Sequence, residues 1–356
     1  MKPDWTTKLK VDPTEWLAEP SNPGVRFFTL RDLLACEEHD PIVKQARAAI
    51  AEDQTVACIF ARQKPEGYWE ASDQPYQPKY KSTYWQIMIL AQLGLDKTDP
   101  RIRSAVDYIT RFQMEDGGFT ASCEAGLKGE YEWVCRQASK RKKTPEPFET
   151  WAKGKIREEE MSCLTGNMAA ALIRLGYTED PRLRRALEWL VAVQNADGGW
   201  LCPYWKAHIR DTHGCFMGTI TTLDAFAECP EAIQTPQLKA AAARGAEFLL
   251  MHRLFKSDHH GFRPIKPAWL QLSFPWLSYD ILRGLAVVTK LGYSRDPRID
   301  DALDVLLRKQ CRDGTWILES TPSGRMQTNI EVKGRPSKWV TLYALRVIRR
   351  IFEARI

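Results

Sequence analysis

No stretch of this chain is apolar for the roughly 18 residues that a bilayer-spanning helix needs. The opening segment, Met1 to Trp5, has no signal-peptide core. A cytoplasmic protein without a membrane span is the expectation. There is no Gly-rich nucleotide loop, no Gly-x-Ser-x-Gly elbow and no His-Glu-x-x-His pair, so nucleotide-driven, esterase-type and zincin chemistry are unsupported. Nine cysteines occur without one Cys-x-x-Cys, and in so long a chain this points to free thiols, some packed in a core and some available to a metal. Charge of one sign is also scarce. The formal net charge is +6, and the densest basic stretch, Arg136 to Lys143, is a single local segment, which argues against nucleic acid as a partner.

What is present is repetition. Leu93-Gly94, followed by Asp99-Pro-Arg-Ile102 and Ala105, recurs as Leu175-Gly176 with Asp180-Pro-Arg-Leu183 and Ala186. It recurs again as Leu291-Gly292 with Asp296-Pro-Arg-Ile299 and Ala302. Degenerate copies stand at Asp40-Pro and Thr235-Pro. In each, an apolar helix ends at Leu-Gly, and Asp or Thr then caps a second helix whose first residue is proline. The second helix is apolar on one face only, as in Leu183, Ala186, Leu187 and Leu190, while the first is apolar nearly all round and must be internal.

After each second helix comes Gln-x3-Gly-x-aromatic: Gln63 to Trp69, Gln113 to Phe119, Gln194 to Trp200 and Gln310 to Trp316. Glycine permits a tight turn, the ring packs back on the hairpin, and glutamine reaches the turn's backbone. A sixth internal helix, Pro336 to Ile351, follows without an outer partner, unless the segment around Asp12 to Leu17 supplies it. The pattern predicts an all-α, (α/α)6 toroid in one domain spanning residues 1–356, with an open solenoid as the alternative. Internal helices are expected to start near Thr83, Cys163, His213, Pro275 and Pro336. A polar insert at about 126–160 breaks the pattern and reads as a solvated helical flap or a lid.

The repeated turns, the Asp-Pro-Arg helices and the hairpin count together resemble the superfamily of squalene–hopene cyclases and protein prenyltransferase β-subunits, over about residues 25–349. The cyclase acid Asp-x-Asp-Asp is absent. Asp300-Asp301-Ala-Leu-Asp304 has the letters of a magnesium motif but falls on an outer helix, where sister copies carry arginine or serine. Prenyltransferase β-subunits hold zinc with Asp-x-Cys and His-Thr-Cys-Tyr at two successive inner-helix starts. Met161-Ser-Cys163 and His213-Gly-Cys215 are similar to these, with methionine where the carboxylate would be.

Cys163, His213 and Cys215 are therefore the expected zinc ligands, with Asp211, a histidine or water in the fourth place. Burial of both thiols as small hydrophobes is the alternative. Since the starts of the inner helices are expected to ring the cavity mouth, Trp85, Asn167, Trp276, Tyr279, Lys338 and Trp339 are the candidate substrate-binding residues. Asp280, His259 and Tyr84 are the candidate catalytic residues, Asp280 because a carboxyl among apolar neighbours can have a raised pKa, with pairing to an internal arginine or capping of the helix as its alternative. The expected function is a zinc-dependent enzyme acting on a small, largely apolar, isoprenoid-like substrate. A metal-free terpene cyclase using Asp280 as acid and a non-catalytic binding toroid are the alternatives; the oligomeric state is left open.

Overall fold

The computed structural model describes residues 4–202 and 212–356. Among the described residues six helices form the centre: Pro23–Asp32, Thr83–Leu93, Ser162–Arg174, Phe216–Glu228, Ile281–Lys290 and Lys338–Arg355. Every residue of the second is buried. From the second onward each packs on the next, and the sixth packs on the first. The first meets the second at Gly24, where a Cβ would stand 2.7 Å from the Leu93 carbonyl oxygen. The ring is closed, and the open solenoid is excluded.

The outer layer is made of Pro41–Ile50, Pro100–Ile109, Pro181–Ala192, Pro236–Met251 and Asp300–Arg308. Asp40, Asp99, Asp180 and Thr235 cap the first four through side-chain oxygens, and Asp296 caps the short turn leading into the fifth. The arginine of Asp-Pro-Arg has its own reason. Arg101, Arg182 and Arg298 fold back on Asp99, Asp180 and Asp296 at 2.6, 2.6 and 2.7 Å, so that each cap is also an ion pair.

The turn signature ties one repeat to the next. Gln63, Gln113, Gln194 and Gln310 each donate from Nε2 to the carbonyl of their own turn glycine, at 3.2, 2.9, 2.7 and 2.9 Å. The same nitrogens also donate to the following outer element, at the carbonyls of Arg101, Arg182, Ala241 and Val11. A Cβ on Gly117 would lie 2.2 Å from the Arg185 carbonyl oxygen, and φ there is +114°, so only glycine fits. The indoles of Trp69, Trp200 and Trp316 bond back to carbonyls ten residues upstream. Thr83, Thr165, Thr219 and Thr341 accept the backbone N–H of the signature aromatic, a latch with no counterpart in the motif as read from sequence.

The position of Val11 in that series resolves the sixth hairpin. Residues 4–17 pack on the sixth inner helix and occupy the place of its missing outer helix. Among the described residues no sheet exceeds two strands. The insert is a helical hairpin, Glu124–Lys140 against Phe148–Glu158, with Tyr131, Phe148 and Trp151 between its arms. It leaves the toroid after the second turn and rejoins it at the start of the third inner helix, and is thus at the N-terminal end of the inner helices.

Two expected starts move. The fourth inner helix begins at Phe216 rather than His213, and the fifth at Ile281 rather than Pro275. Asp280 caps the latter helix, and the residues before it do something else. The segment 272–280 folds into the ring: Phe274 stacks on Trp339 at 4.6 Å, and Trp276 packs on Tyr343 at 4.0 Å. The Trp276 N–H reaches Gln92 on the second inner helix at 2.8 Å. The N-terminal end of the ring is plugged.

Candidate functional site

With that end closed, the axial cavity opens at the other. It has a volume of about 200 Å³ and is lined from all six inner helices near their C-terminal ends or, in the long sixth helix, at its middle. Phe27, Phe28, Trp276 and Tyr343 give it an aromatic wall. Depth can be read from exposure: the rim side chains Arg31 and Lys290 keep 37% and 34% of their surface, whereas Asp224 and Arg283 keep 3% and 2%.

Charges enter helices otherwise made of apolar residues, and they form one chain of contacts. Arg283 bonds Asn167 at 3.1 Å and Asp224 at 2.9 Å. Arg174 bridges Asp224 at 2.5 Å and Glu228 at 3.2 Å, and Lys290 meets Glu228 at 2.5 Å. Across the mouth Asp32 is shared by Arg31 and Arg346. Burial alone would raise the carboxyl of Glu228, but Arg174 and Lys290 outweigh it and hold it at about 2. Asp32 is likewise held below the usual carboxylate range, its burial outweighed by the two arginines. Burial lowers Lys290, and Glu228 opposes the shift.

Of the residues expected to face substrate, Trp276 lines this cavity, and Asn167 lies beneath it as an acceptor for Arg283. The others are spent on structure. The Tyr84 hydroxyl donates to the Thr120 carbonyl, the Trp85 indole to that of Tyr76 and the Tyr279 hydroxyl to that of Leu254. Lys338 holds the N-terminal segment through the Trp16 carbonyl and Glu19, and Trp339 stacks on the plug. His259 is exposed beside Asp258. Asp280 does have its raised pKa, pushed by burial to about 6, but it is a cap. Its Oδ1 accepts from the Arg283 N–H at 2.8 Å, and its Oδ2 accepts from the Ser273 N–H at 2.9 Å and from the Ser273 hydroxyl. The starts of inner helices do not ring a mouth because the plug and the turn aromatics fill that end.

Among the described residues the expected zinc ligands are not brought together. His213 has Nδ1 2.9 Å from the Gly214 carbonyl and packs its ring against Phe248 and His252. The partner of Cys163 is Cys202: the contact raises the Cys163 thiol, together with burial, and lowers Cys202 to about 7. Cys215, raised by burial, caps its helix toward the Gly218 N–H. Among the described residues no three His, Cys, Asp or Glu side chains stand where one metal ion would be held. Asp211 lies outside the described residues.

The sequence reading missed Arg174, Asp224, Glu228, Lys290, Arg346 and Arg350. Their signal was legible: Asp224 and Arg283 are charges in runs of apolar residues, on helices that must be internal.

The fold and cavity define an (α/α)6 toroid with a charged, aromatic-walled axial site. No family model matches the chain. Over 114 residues, 32% of this chain, it is 27% identical to squalene–hopene cyclase of Zymomonas mobilis, of whose length the match spans 12%. Similar solved structures include a protein from Actinoplanes, at 17% identity with 96% of this chain and 90% of that chain covered and a TM-score of 0.44. They also include the type II terpene cyclase MstE from Scytonema, at 16% identity with 96% and 89% covered and a TM-score of 0.46. Over those 114 residues the chain resembles a squalene–hopene cyclase, as its repeats imply. No helix among the described residues is long and apolar enough to cross a membrane.

Proposed function

We propose that the chain is an enzyme of terpene-cyclase-like scaffold that acts, without zinc, on a small isoprenoid-like molecule held in the axial cavity. The observation that carries this is the convergence of all six inner helices on one site with an aromatic wall and ion-paired charges below it. A ring held together by packing alone has no need of buried charge, whose desolvation costs several kcal/mol per ion. The partial likeness to a squalene–hopene cyclase supports an isoprenoid substrate.

Glu228 is held at about 2 by Arg174 and Lys290, and Asp32 is held below the usual carboxylate range by its two arginines, so neither has a proton to give an alkene. Besides the guanidinium groups, Lys290 and Tyr343 bring an ammonium and a hydroxyl proton to the cavity's lining. Burial raises Tyr343 and lowers Lys290, which makes Lys290 the better acid and suits proton transfer to or from a heteroatom. Incubating linear isoprenoid alcohols, acids and diphosphates with wild type, Lys290→Met and the cavity-filling Ala286→Phe tests this. Conversion by wild type that is lost in both variants while they still melt cooperatively is the expected result.

A second reading, a non-catalytic binding toroid, is favoured by one measurement. About 200 Å³ is less than the ~300–1,000 Å³ of sites that enclose a drug-sized ligand. No conversion of any substrate by wild type would leave that reading in place.

A further inference from the structure

Two of the joints between neighbouring outer helices are closed by the same pair of charges. Arg182 of the third outer helix reaches Asp107 of the second at 3.3 Å, and Arg298, just before the fifth, reaches Glu247 of the fourth at 2.6 Å. The joint between the third and the fourth is built differently. Glu188 stands eight positions after its capping Asp180, just as Asp107 stands eight after Asp99, so the receiving carboxylate is in place. The arginine is not. The fourth outer helix has 16 residues against 12 in the third, and the turn glutamines show that the addition is at its start. Gln113 bonds the carbonyl of Arg182, two positions after Asp180, whereas Gln194 bonds that of Ala241, six positions after Thr235. A methyl group thus stands where the sister joints carry a guanidinium. Among the described residues nothing meets the Glu188 carboxylate within ion-pair or hydrogen-bond distance.

The added turn and the loop before it border a groove of about 610 Å³, against about 200 Å³ for the axial cavity, and the two share no lining residue. Its size falls in the range of sites that hold small organic ligands. Leu187 and Val191 of the third outer helix and Ile233 and Leu238 of the fourth repeat make its apolar wall. Glu188, Gln237 and Arg184, all exposed, line it as well. Arg184 has lost the employment of its sister: Arg103 donates to the Lys97 and Thr98 carbonyls, both at 2.8 Å, and Arg184 makes no such bond among the described residues.

We propose that this outer groove binds a small amphiphilic cation, a guanidinium or ammonium group on a hydrocarbon body. The head pairs with Glu188 and takes the part that Arg182 and Arg298 play at the sister joints, where a carboxylate in the same place holds a guanidinium. The body lies along Leu187, Val191, Ile233 and Leu238. Burial of the body supplies most of the affinity, and the exposed ion pair supplies selectivity for the sign of the head. The site stands apart from the axial cavity and is independent of what that cavity does.

Calorimetric titration of the full chain with hexylguanidinium, guanidinium ion, hexanol and hexanoate tests it. Hexylguanidinium should bind saturably, one per chain, about tenfold or more tightly than guanidinium ion, and more tightly than hexanol or hexanoate. Glu188→Gln should weaken it by about threefold to fivefold at low ionic strength and by less in high salt. Gln237→Arg, which offers Glu188 a cation of the chain's own, should weaken it at least as much, and Arg184→Gln, which removes a competing cation, should tighten it. Val191→Trp should fill the groove and abolish binding, whereas Ala286→Phe in the axial cavity should leave it unchanged. Glu188 and Gln237 are exposed, so their variants should melt with the wild type and a loss of binding is separable from misfolding. No binding by wild type, hexanoate bound as tightly as hexylguanidinium, a loss in Ala286→Phe, or unchanged affinity in Glu188→Gln overturns the proposal.

Discussion

Gln310 donates from Nε2 to the carbonyl oxygen of Val11, 2.9 Å away and 299 positions earlier in the chain. The bond is the same one that Gln63, Gln113 and Gln194 make to the outer helix that follows them, so the seam of the ring is built like its other joints. Gln310 is buried, and its Oε1 also accepts the Lys10 N–H at 2.8 Å. Gln310→Ala is therefore expected to cost about 1–3 kcal/mol, because buried backbone groups lose their partner. Residues 4–17 should also become sensitive to protease. An unchanged urea midpoint with unchanged proteolysis would show that the seam does not depend on it.

Asp224 should be among the most costly single positions. Its removal in Asp224→Ala leaves Arg283 buried without a carboxylate, and about 3–5 kcal/mol is the expected loss. The double variant Asp224→Leu/Arg283→Met should recover most of it, since apolar side chains then replace both charges. A double variant no more stable than Asp224→Ala would mean that packing, not the unpaired arginine, sets the cost.

Acid should attack Glu228. Its folded pKa of about 2 lies below the ordinary 4.5, so its stabilisation is complete above the unfolded value and is lost as pH falls from about 4.5 toward 2. A shift of about 2.5 pKa units corresponds to about 3 kcal/mol. Glu228→Gln should flatten the stability curve in that window. If the wild-type and Glu228→Gln curves run parallel between pH 5 and 2, on the ordinary scale of carboxyl titration, the ion pairs contribute nothing.

Asp280 shifts the opposite way. A buried acid raised to about 6 binds its proton more tightly folded than unfolded, so its contribution falls as pH rises from about 4 to 6 and is flat above. The stability gap between wild type and Asp280→Asn should accordingly narrow over that range. Turnover per folded molecule should survive the substitution, because the carboxyl is occupied by its cap. A loss of about a hundredfold or more in a normally melting Asp280→Asn protein would restore Asp280 as the acid.

Chelation should leave the protein as it is. With His213 on Phe248 and Cys163 on Cys202, dialysis against a strong chelator is expected to change neither the melting temperature nor the turnover. A melting temperature that falls, recovers with zinc and is insensitive to chelator in Cys163→Ala would reinstate a thiolate metal site.

The fold was legible because its signals are local. Capping by Asp180 ahead of Pro181, the Leu-Gly helix ends and the glutamine turns each need only a few neighbouring residues. The site was not, because it is made by side chains far apart in sequence. The His213-Gly-Cys215 spacing matched a ligand pattern, yet nothing in it could show that Gly214 would press against Gly199 and that the imidazole would pack on Phe248. Asp280 was open to two readings, an acid with a raised pKa and a helix cap, and the cap is what the structure holds, its two oxygens accepting from Ser273 and Arg283. Trp276 was placed at a mouth because helix starts were assumed to be open. The plug formed by its own loop could not be seen without the Gln92 contact, 184 positions away.

Among the described residues the plug leaves the ring a single doorway. With Trp276, Gln92 and Tyr343 across the axis, whatever enters past Arg31 and Lys290 must leave by the same opening. Traffic is thus sequential: a product still in place bars the next reactant, so inhibition by product should be competitive. A processive passage of a chain through the hole, which a toroid invites one to imagine, is closed to this one.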